Sequence, residues 1–132
     1  MKIHHIIPLL LLAGGITVGA QPTNFYPRYT LIFDVGQRGI ANPTEADIRS
    51  AVTGYKGQMG PIFQISMVGT KETLQIDALG DGHYSFEYSD GGKVGYISKR
   101  KDYSIEEAVK ILTDYRYGSP IWNETIDWKE RK

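Results

Sequence analysis

The sequence contains no cysteine. Disulfide bonds and a lipidated cysteine anchor are therefore excluded, and stability must come from packing alone. Histidine is nearly as scarce: His4 and His5 lie near the start, and His83 is the only other one. Basic runs are missing apart from residues 99–101, where nearby acidic residues indicate a solvated loop. Because 15 basic residues balance 15 acidic ones, the composition also argues against a nucleic acid partner.

Long apolar runs are absent outside the N-terminal segment. Residues 6–18 are mostly apolar and follow a basic start at Lys2, and residues 18–20 are small or medium-sized. This pattern predicts a signal peptide, residues 1–20, cleaved after Ala20. The run is too short and too rich in glycine for a comfortable membrane span. We therefore expect a periplasmic or secreted protein with one domain, residues 21–132, and no stable membrane anchor after cleavage.

Residues 73–98 have the most regular pattern in the chain. Apolar side chains alternate with polar ones over residues 74–78 and again over residues 84–88, the two-residue period of a strand with one buried face. Glycine-rich turns at 80–82 and 90–92 separate these runs, and Asp-Gly pairs suit tight hairpins. The segment therefore predicts three antiparallel strands in succession. Residues 29–35 and 61–68 predict two further strands.

Two amphipathic helices are predicted. The first begins near Asn42, which we expect to be its cap, with Glu45 reaching back to it. Its buried face is formed by Ile48, Ala51, Val52 and Tyr55. The second begins with a Ser104-to-Glu107 capping box and presents an apolar stripe over residues 105–115. Residues 36–42 are expected to form a loop.

These elements predict an α+β fold, an antiparallel β-sheet of about five strands with two amphipathic helices packed on one face. The tail from Ile121 is expected to seal the core with Trp122 or Trp128 and to add a short edge strand near residues 126–128. The opposite face of the sheet is expected to be partly open. Its predicted lining is Gln75, Asp77, Ser85, Glu87 and Tyr96.

Catalytic machinery is hard to assemble from these residues. Asp81, His83 and Ser85 could be read as a triad, but they are neighbours on one hairpin with no oxyanion loop nearby. His83 and Glu87 share a strand face but are roughly 13 Å apart at strand rise, too far to bind one metal ion together with Asp77 and Asp81. Asp81, between two glycines, is explained more simply as a turn residue.

Paired carboxylates and a phosphate loop are two further possibilities. Asp34 with Glu45, or Glu106 with Glu107, would be candidates for glycoside chemistry, although Glu45 and Glu107 are expected to serve as capping residues. The glycines at 54, 57 and 60 follow a helix, whereas phosphate loops precede one. The sequence therefore predicts no catalytic residue, no metal site and no cofactor.

Aromatic residues are abundant, with two Trp, nine Tyr and four Phe. Tyr and Trp are enriched at protein interfaces, although we expect at least half of them here to be core residues.

Five features follow one another in the chain: the Leu74-Gln75-Ile76 strand, the strand over residues 83–88, the Asp90-Gly91 turn, the capped helix 104–117 and the closing Trp128. Together they resemble small bacterial immunity proteins. The resemblance covers roughly residues 61–130. Its motifs also occur in other strand-and-helix domains.

The resemblance implies that the protein binds and neutralises a cognate toxin, here one that acts in the periplasm, and it implies no catalytic residues. We predict that the partner-binding residues are Gln75, Asp77, Glu87, Tyr88, Tyr96 and Trp122. Two alternatives remain open, a small secreted enzyme acting on the cell wall or a polymer, and a generic exported inhibitor or binding module. The sequence leaves the oligomeric state open.

Overall fold

The computed structural model describes residues 28–33, 39–55 and 58–131. The predicted signal peptide and residues 21–27 lie outside the described residues, as do Asp34 and Gly57. The described elements are, in chain order, β1 (Tyr29–Phe33), β2 (Gly39–Ala41), α1 (Glu45–Gly54), β3 (Met59–Met67), β4 (Thr73–Leu79), β5 (Tyr84–Ser89), β6 (Gly95–Ser98), α2 (Ile105–Arg116), α3 (Ile121–Thr125) and β7 (Trp128–Arg131). None of the helices described is long and apolar enough to cross a membrane.

The strands form one sheet in the order β2-β1-β3-β4-β5-β6-β7. Every neighbouring pair is antiparallel. From β3 to β6 the chain forms a meander, because short turns force consecutive strands to be neighbours. The predicted α+β class with an antiparallel sheet is confirmed. The numbers differ, since the described chain has seven strands and three helices where five strands and two helices were expected.

The additional elements are all short. β2, in the segment predicted to be a loop, pairs Ile40 with Leu31 of β1. α3 occupies part of the segment predicted as a tail, and the closing edge strand begins at Trp128 instead of Ile126. Elements of three to five residues contain too few positions for a period to be recognised, which is why sequence patterning missed them.

The start of α1 corrects one prediction. Thr44, not Asn42, is the cap, and its partner in the capping box is Asp47 rather than Glu45. Asn42 instead adopts a left-handed backbone conformation with φ of 49°. Its side-chain oxygen accepts a hydrogen bond from the N–H of Tyr29 at 3.2 Å. Asn tolerates this conformation better than most residues, so Asn42 can form the tight connection between β2 and α1.

The start of α2 agrees with its prediction. Ser104 accepts from the N–H of Glu107, and the Glu107 carboxylate accepts from the N–H of Ser104. The stripe that α2 buries contains Ala108, Val109, Ile111, Leu112 and Tyr115. These residues belong to the same core cluster as the buried residues of α1, α3 and the sheet, so the helices cover one face of the sheet.

The alternation along β4 and β5 separates the two faces of the sheet. The buried set is Leu74, Ile76, Ala78, Tyr84, Phe86 and Tyr88, each at most 2% exposed. The residues between them are only partly buried and point to the opposite face. A bulge between Pro61 and Phe63 interrupts the same alternation in β3, so that Ile62 and Phe63 are both buried. We call the face of the sheet that points away from the helices the open face.

Candidate functional site

The pairing of β4 with β5 brings three predicted site residues together on the open face. Gln75 lies directly opposite Glu87, and Asp77 lies opposite Ser85, two pairs further along. Directly paired residues share a face, and diagonal neighbours are within reach of long side chains. The prediction that Gln75, Asp77 and Glu87 would share this face therefore agrees with their positions.

Hydrogen bonds join these side chains into one group. The amide nitrogen of Gln75 donates to Asp77 Oδ1 at 3.0 Å and approaches Glu87 Oε2 at 3.4 Å. On the other side, the guanidinium of Arg131 donates to Glu87 Oε1 and forms an ion pair with it. We call Gln75, Asp77, Glu87 and Arg131 the carboxyl cluster. Its two carboxyl groups are thus oriented by neighbouring side chains.

Arg131 reaches Glu87 from the edge strand across β6. Gly95 of β6 pairs with Arg131 on one side and with Ser89 on the other. The Arg131 side chain lies next to Gly95, where an added Cβ would be 3.9 Å from the Arg131 Nε, an ordinary contact distance. Sequence reasoning missed Arg131. The signal was available in the alternation of Lys129 and Arg131, which places both basic side chains on one face of an edge strand.

Asp77 has a raised pKa within the carboxyl cluster. Burial is the main cause that raises the pKa of Asp77 from 3.8 to about 7, followed by the hydrogen bond to Glu87 and the charge of Glu87. The Gln75 amide and the Arg131 charge lower the pKa of Asp77 by less. Burial and a neighbouring carboxylate both disfavour the ionised form, so the surroundings of Asp77 favour its neutral form.

An open pocket of about 410 Å³ lies beside the cluster. Thr73, Gln75, Glu87 and Ser89 line it from the sheet, and Lys93 and Arg131 line it from the β5–β6 turn and the edge strand. Acidic, basic and hydroxyl groups thus lie side by side around an open depression. Such a lining suits the hydrogen-bonding groups of a polar surface rather than an apolar ligand.

The aromatic residues predicted at the margin of this face lie elsewhere. Tyr88 and Trp122 are 2% and 1% exposed, and their ring centroids are 5.3 Å apart inside the core. Tyr96 borders the pocket but pairs with Tyr88, so its half-buried ring stands on the helix-covered side. The placement of Tyr88 and Trp122 at the open-face margin is therefore corrected. Tyr88 follows Glu87 in β5 and so points to the covered face, and Trp122 points from α3 into the core.

The histidine considered for catalysis lies in a turn. His83 Nδ1 is 3.3 Å from Asp81 Oδ1, and both side chains are substantially exposed. The same Asp81 oxygen accepts from the His83 backbone N–H at 3.0 Å. Asp81 therefore has the turn role expected from its flanking glycines. Across residues 28–33, 39–55 and 58–131, no group of three or more His, Asp or Glu side chains is placed to hold a metal ion.

Glu106 and Glu107, which were also considered for glycoside chemistry, are each paired with an arginine. Glu106 accepts from Arg49 at 2.6 Å, and Glu107 accepts from Arg100 at 2.7 Å. The Arg49 interaction lowers the pKa of Glu106, and the Arg100 hydrogen bond lowers that of Glu107 to about 2. Both groups are therefore held as anions, which is unsuited to a general acid.

A second polar group is buried in the core. Glu72 is 7% exposed, and its carboxylate accepts from the hydroxyls of Tyr88 at 2.9 Å and Tyr115 at 2.8 Å. Burial and the adjacent Glu72 charge raise the pKa of both tyrosines. Sequence reasoning missed Glu72, because an acidic residue after a Gly-Thr-Lys turn is indistinguishable from an exposed one. Its partners come from distant parts of the chain, so no local sequence pattern indicates these contacts.

Comparison with protein families, with curated proteins and with solved structures finds no match to this chain. The case for a function therefore depends on the open face and the carboxyl cluster.

Proposed function

We propose that this protein is a periplasmic immunity protein, which binds a cognate bacterial toxin through the open face and blocks it. The observation that carries the proposal is the hydrogen-bonded grouping of Gln75, Asp77 and Glu87 on a sheet face that the helices do not cover. The toxin part of the proposal comes from the resemblance of the strands and the capped helix to small immunity proteins.

The chemistry of the open face indicates the kind of partner. Glu87 is an acidic side chain that remains 29% exposed beside Arg131, and Gln75 and Asp77 are joined by a hydrogen bond next to it. A preorganised face of this kind loses little side-chain entropy on docking. Its acidic centre suits a basic or hydrogen-bond-donating cleft, and charge complementarity accelerates the encounter of two proteins. A toxin whose active-site cleft binds anionic substrates fits these requirements.

Export is part of the proposal, since an immunity protein must meet its toxin in the same compartment. We expect protein recovered from the periplasm to begin at Gln21, and N-terminal sequencing measures this directly. Recovery of the chain with Met1 intact in a membrane fraction would remove the periplasmic location.

A small secreted enzyme is the second candidate, favoured by the raised pKa of Asp77 next to the pocket residues Gln75 and Glu87. Raised carboxyl pKa values are common in acid–base catalysis. The geometry nevertheless disfavours glycoside hydrolysis, because the Gln75 amide nitrogen contacts both carboxyl groups and occupies the space between them. Glycosidases keep their carboxyl groups about 5 Å or more apart to flank the scissile bond.

Co-expression tests the immunity proposal. The effector encoded by the adjacent gene is targeted to the periplasm of a host cell, with or without this protein. We expect the wild-type protein to restore growth and to co-purify with the effector. The double variant Asp77→Lys/Glu87→Lys should protect poorly, because it reverses the charge at the centre of the open face. Failure of the wild-type protein to protect or bind would overturn the proposal.

A matched control uses two exposed carboxylates away from this face. Glu124 lies on α3, and Glu130 of β7 pairs with Tyr96 and so points to the opposite side of the sheet. Glu124→Lys/Glu130→Lys makes the same change in net charge and should protect like the wild type. If both double variants protect fully while remaining folded, the open face is not the interface. Loss of turnover of a cell-wall polymer on replacement of Asp77 would instead favour the enzyme.

A further inference from the structure

One row of residues that crosses four strands borders the pocket beside the carboxyl cluster. Thr73 of β4 is paired with Ser89 of β5, which is paired with Gly95 of β6. Gly95 is in turn paired with Arg131 of β7. Directly paired residues share a face of the sheet, so the whole row lies on the open face. The row thus presents two hydroxyls on one side of a glycine and a guanidinium on the other.

Several hydrogen-bond donors around this row are not used within the described chain. Lys93 lines the pocket from the β5–β6 turn, and its ammonium group has no ion pair or hydrogen bond to residues 28–33, 39–55 or 58–131. The hydroxyl of Thr73 has no hydrogen bond to these residues either. That of Ser89 accepts from the N–H of Gly91 at 3.1 Å, and its own proton is donated to none of them. A ligand that offers acceptors would satisfy all three groups.

The charges of the lining favour an anionic ligand. The guanidinium of Arg131 donates to Glu87 through Nη1, and since a guanidinium has five N–H donors, others remain for a ligand. The ion pair of Arg131 with Glu87 leaves Lys93 as the unbalanced charge of the lining. A carboxylate only accepts hydrogen bonds, and those from Arg and Lys are the stronger, charge-assisted kind. The volume of about 410 Å³ lies within the range of about 300–1,000 Å³ that is usual for ligand sites.

We propose that this pocket is a carboxylate site, which receives an acidic side chain of the bound partner on Lys93, Arg131 and the two hydroxyls of the row. The inference rests on the proposed function, since it names the chemistry that the partner presents to this part of the open face. The partner then carries a basic group opposite Asp77 and Glu87 and an acidic group opposite the neighbouring strand β6. A partner with basic groups alone would place like charges against the pocket, which disfavours it.

The first measurement needs no partner. Acetate is exchanged for chloride at constant ionic strength, and the backbone amide shifts of the protein are followed by NMR. Saturable shifts should appear at the pocket residues Gly92, Lys93 and Gly95, and they should be much smaller in Lys93→Gln. Lys101→Gln removes the same charge in the loop between β6 and α2, away from the pocket, and should leave the titration unchanged. Absence of saturable shifts at these amides in the wild type would overturn the inference.

The second measurement uses the effector of the co-expression experiment. By calorimetry, Lys93→Gln should weaken effector binding by about tenfold or more, the loss expected for one hydrogen bond between charged groups. Gly95→Val should also weaken it, because the added side chain projects into the pocket. An added Cβ at Gly95 is 3.9 Å from its nearest neighbours and the residue has no positive φ, so the variant should fold, which circular dichroism checks. Lys101→Gln should bind like the wild type.

Replacement of the effector's acidic residues one at a time identifies the group that enters the pocket. In one such variant Lys93→Gln should cause no further loss of affinity, since residues in direct contact are coupled in a double-mutant cycle. If acetate binds but no acidic residue of the effector is coupled to Lys93, the site takes a free solute and the inference is overturned. Unchanged effector affinity in both Lys93→Gln and Gly95→Val would also overturn it, and the proposed function would stand in either case. Failure of the wild type to bind the effector would overturn the proposed function, and the inference with it.

Discussion

The hydroxyl of Tyr115 donates a 2.8 Å hydrogen bond to the buried carboxylate of Glu72, 43 residues away in the chain. The contact joins α2 to the turn between β3 and β4 inside the core. A buried carboxylate is tolerated only where its oxygens have partners, and Tyr88 supplies a second hydroxyl at 2.9 Å. The pair thus fixes the position of the last turn of α2 over the sheet.

Removal of the Tyr115 hydroxyl should destabilise the fold. Tyr115→Phe deprives the buried Glu72 carboxylate of one donor, and hydrogen bonds to charged groups contribute about 1.5–3 kcal/mol. We expect the free energy of unfolding, from urea titration, to fall by about that amount. Tyr117→Phe makes the same chemical change on a ring that is 57% exposed, and should change stability by less than about 0.5 kcal/mol. Equal effects of the two variants would contradict a structural role for the Glu72 contact.

Truncation in the stripe of α2 should be costly. Leu112 is fully buried in the common core, so Leu112→Ala leaves a cavity and should lower the free energy of unfolding by about 2–5 kcal/mol. Phe86→Ala, on the covered face of β5, should cost a comparable amount. Ile121→Ala is the matched control because Ile121 is 48% exposed. A loss below about 0.5 kcal/mol for Leu112→Ala would show that the stripe is misassigned.

These two core positions also illustrate what the sequence predicts well. The periods of β4, β5 and α2 run over six or more residues. Those of β4 and β5 placed their buried side chains correctly, whereas that of α2 missed the buried Ile111 and included Ile105, which is only partly buried. Asn42 shows the limit of prediction from sequence. Asn is a common capping residue, but Asn42 adopts a left-handed backbone conformation two positions before the actual cap, Thr44. β2 and α3 were missed because three to five residues define no period.

The candidate site was predictable only in part. Alternation alone placed Gln75, Asp77 and Glu87 on the open face. Arg131 was missed because its contact with Glu87 depends on β7 pairing with β6, which is a tertiary property. Tyr88 and Trp122 were assigned to the interface on residue type, whereas α2 and α3 bury them. A residue preference at interfaces cannot tell an aromatic core from an aromatic surface.

The buried tyrosines predict sensitivity to alkali. Burial is the main cause that raises the pKa of Tyr29 from 10.0 to about 12, and the pKa values of Tyr88 and Tyr115 are also raised. A raised pKa in the folded state means that the unfolded chain ionises first. The stability is therefore fully present below pH 10 and is lost as the pH rises above it. Melting temperatures by circular dichroism should be level between pH 8 and pH 9 and should fall steeply by pH 11.

Tyrosinate absorbance provides the check on that mechanism. The buried tyrosines should ionise only together with unfolding. Ionisation of all tyrosines near pH 10 with no loss of helical signal would contradict the burial of the Glu72 group.

Asp77 predicts the opposite of the usual behaviour of a carboxylate. Its pKa is raised in the folded state, from 3.8 to about 7. The stability associated with it is therefore fully present below about pH 4 and is lost as the pH rises through 7, after which it levels off. Asp77→Asn removes this penalty, because the amide can donate to Glu87 as the protonated carboxyl does. At pH 8 we expect the variant to be more stable than the wild type by about 1 kcal/mol, well below the full conversion of the shift because the side chain is only partly buried. At pH 4 the two should be nearly equal in stability.

Urea titrations at both pH values measure this difference, with Asp127→Asn as the control for loss of an exposed carboxylate. A variant that is less stable than the wild type at pH 8 would mean that Asp77 is ionised in the folded protein without a penalty, and the raised pKa of Asp77 would then be ruled out on thermodynamic grounds.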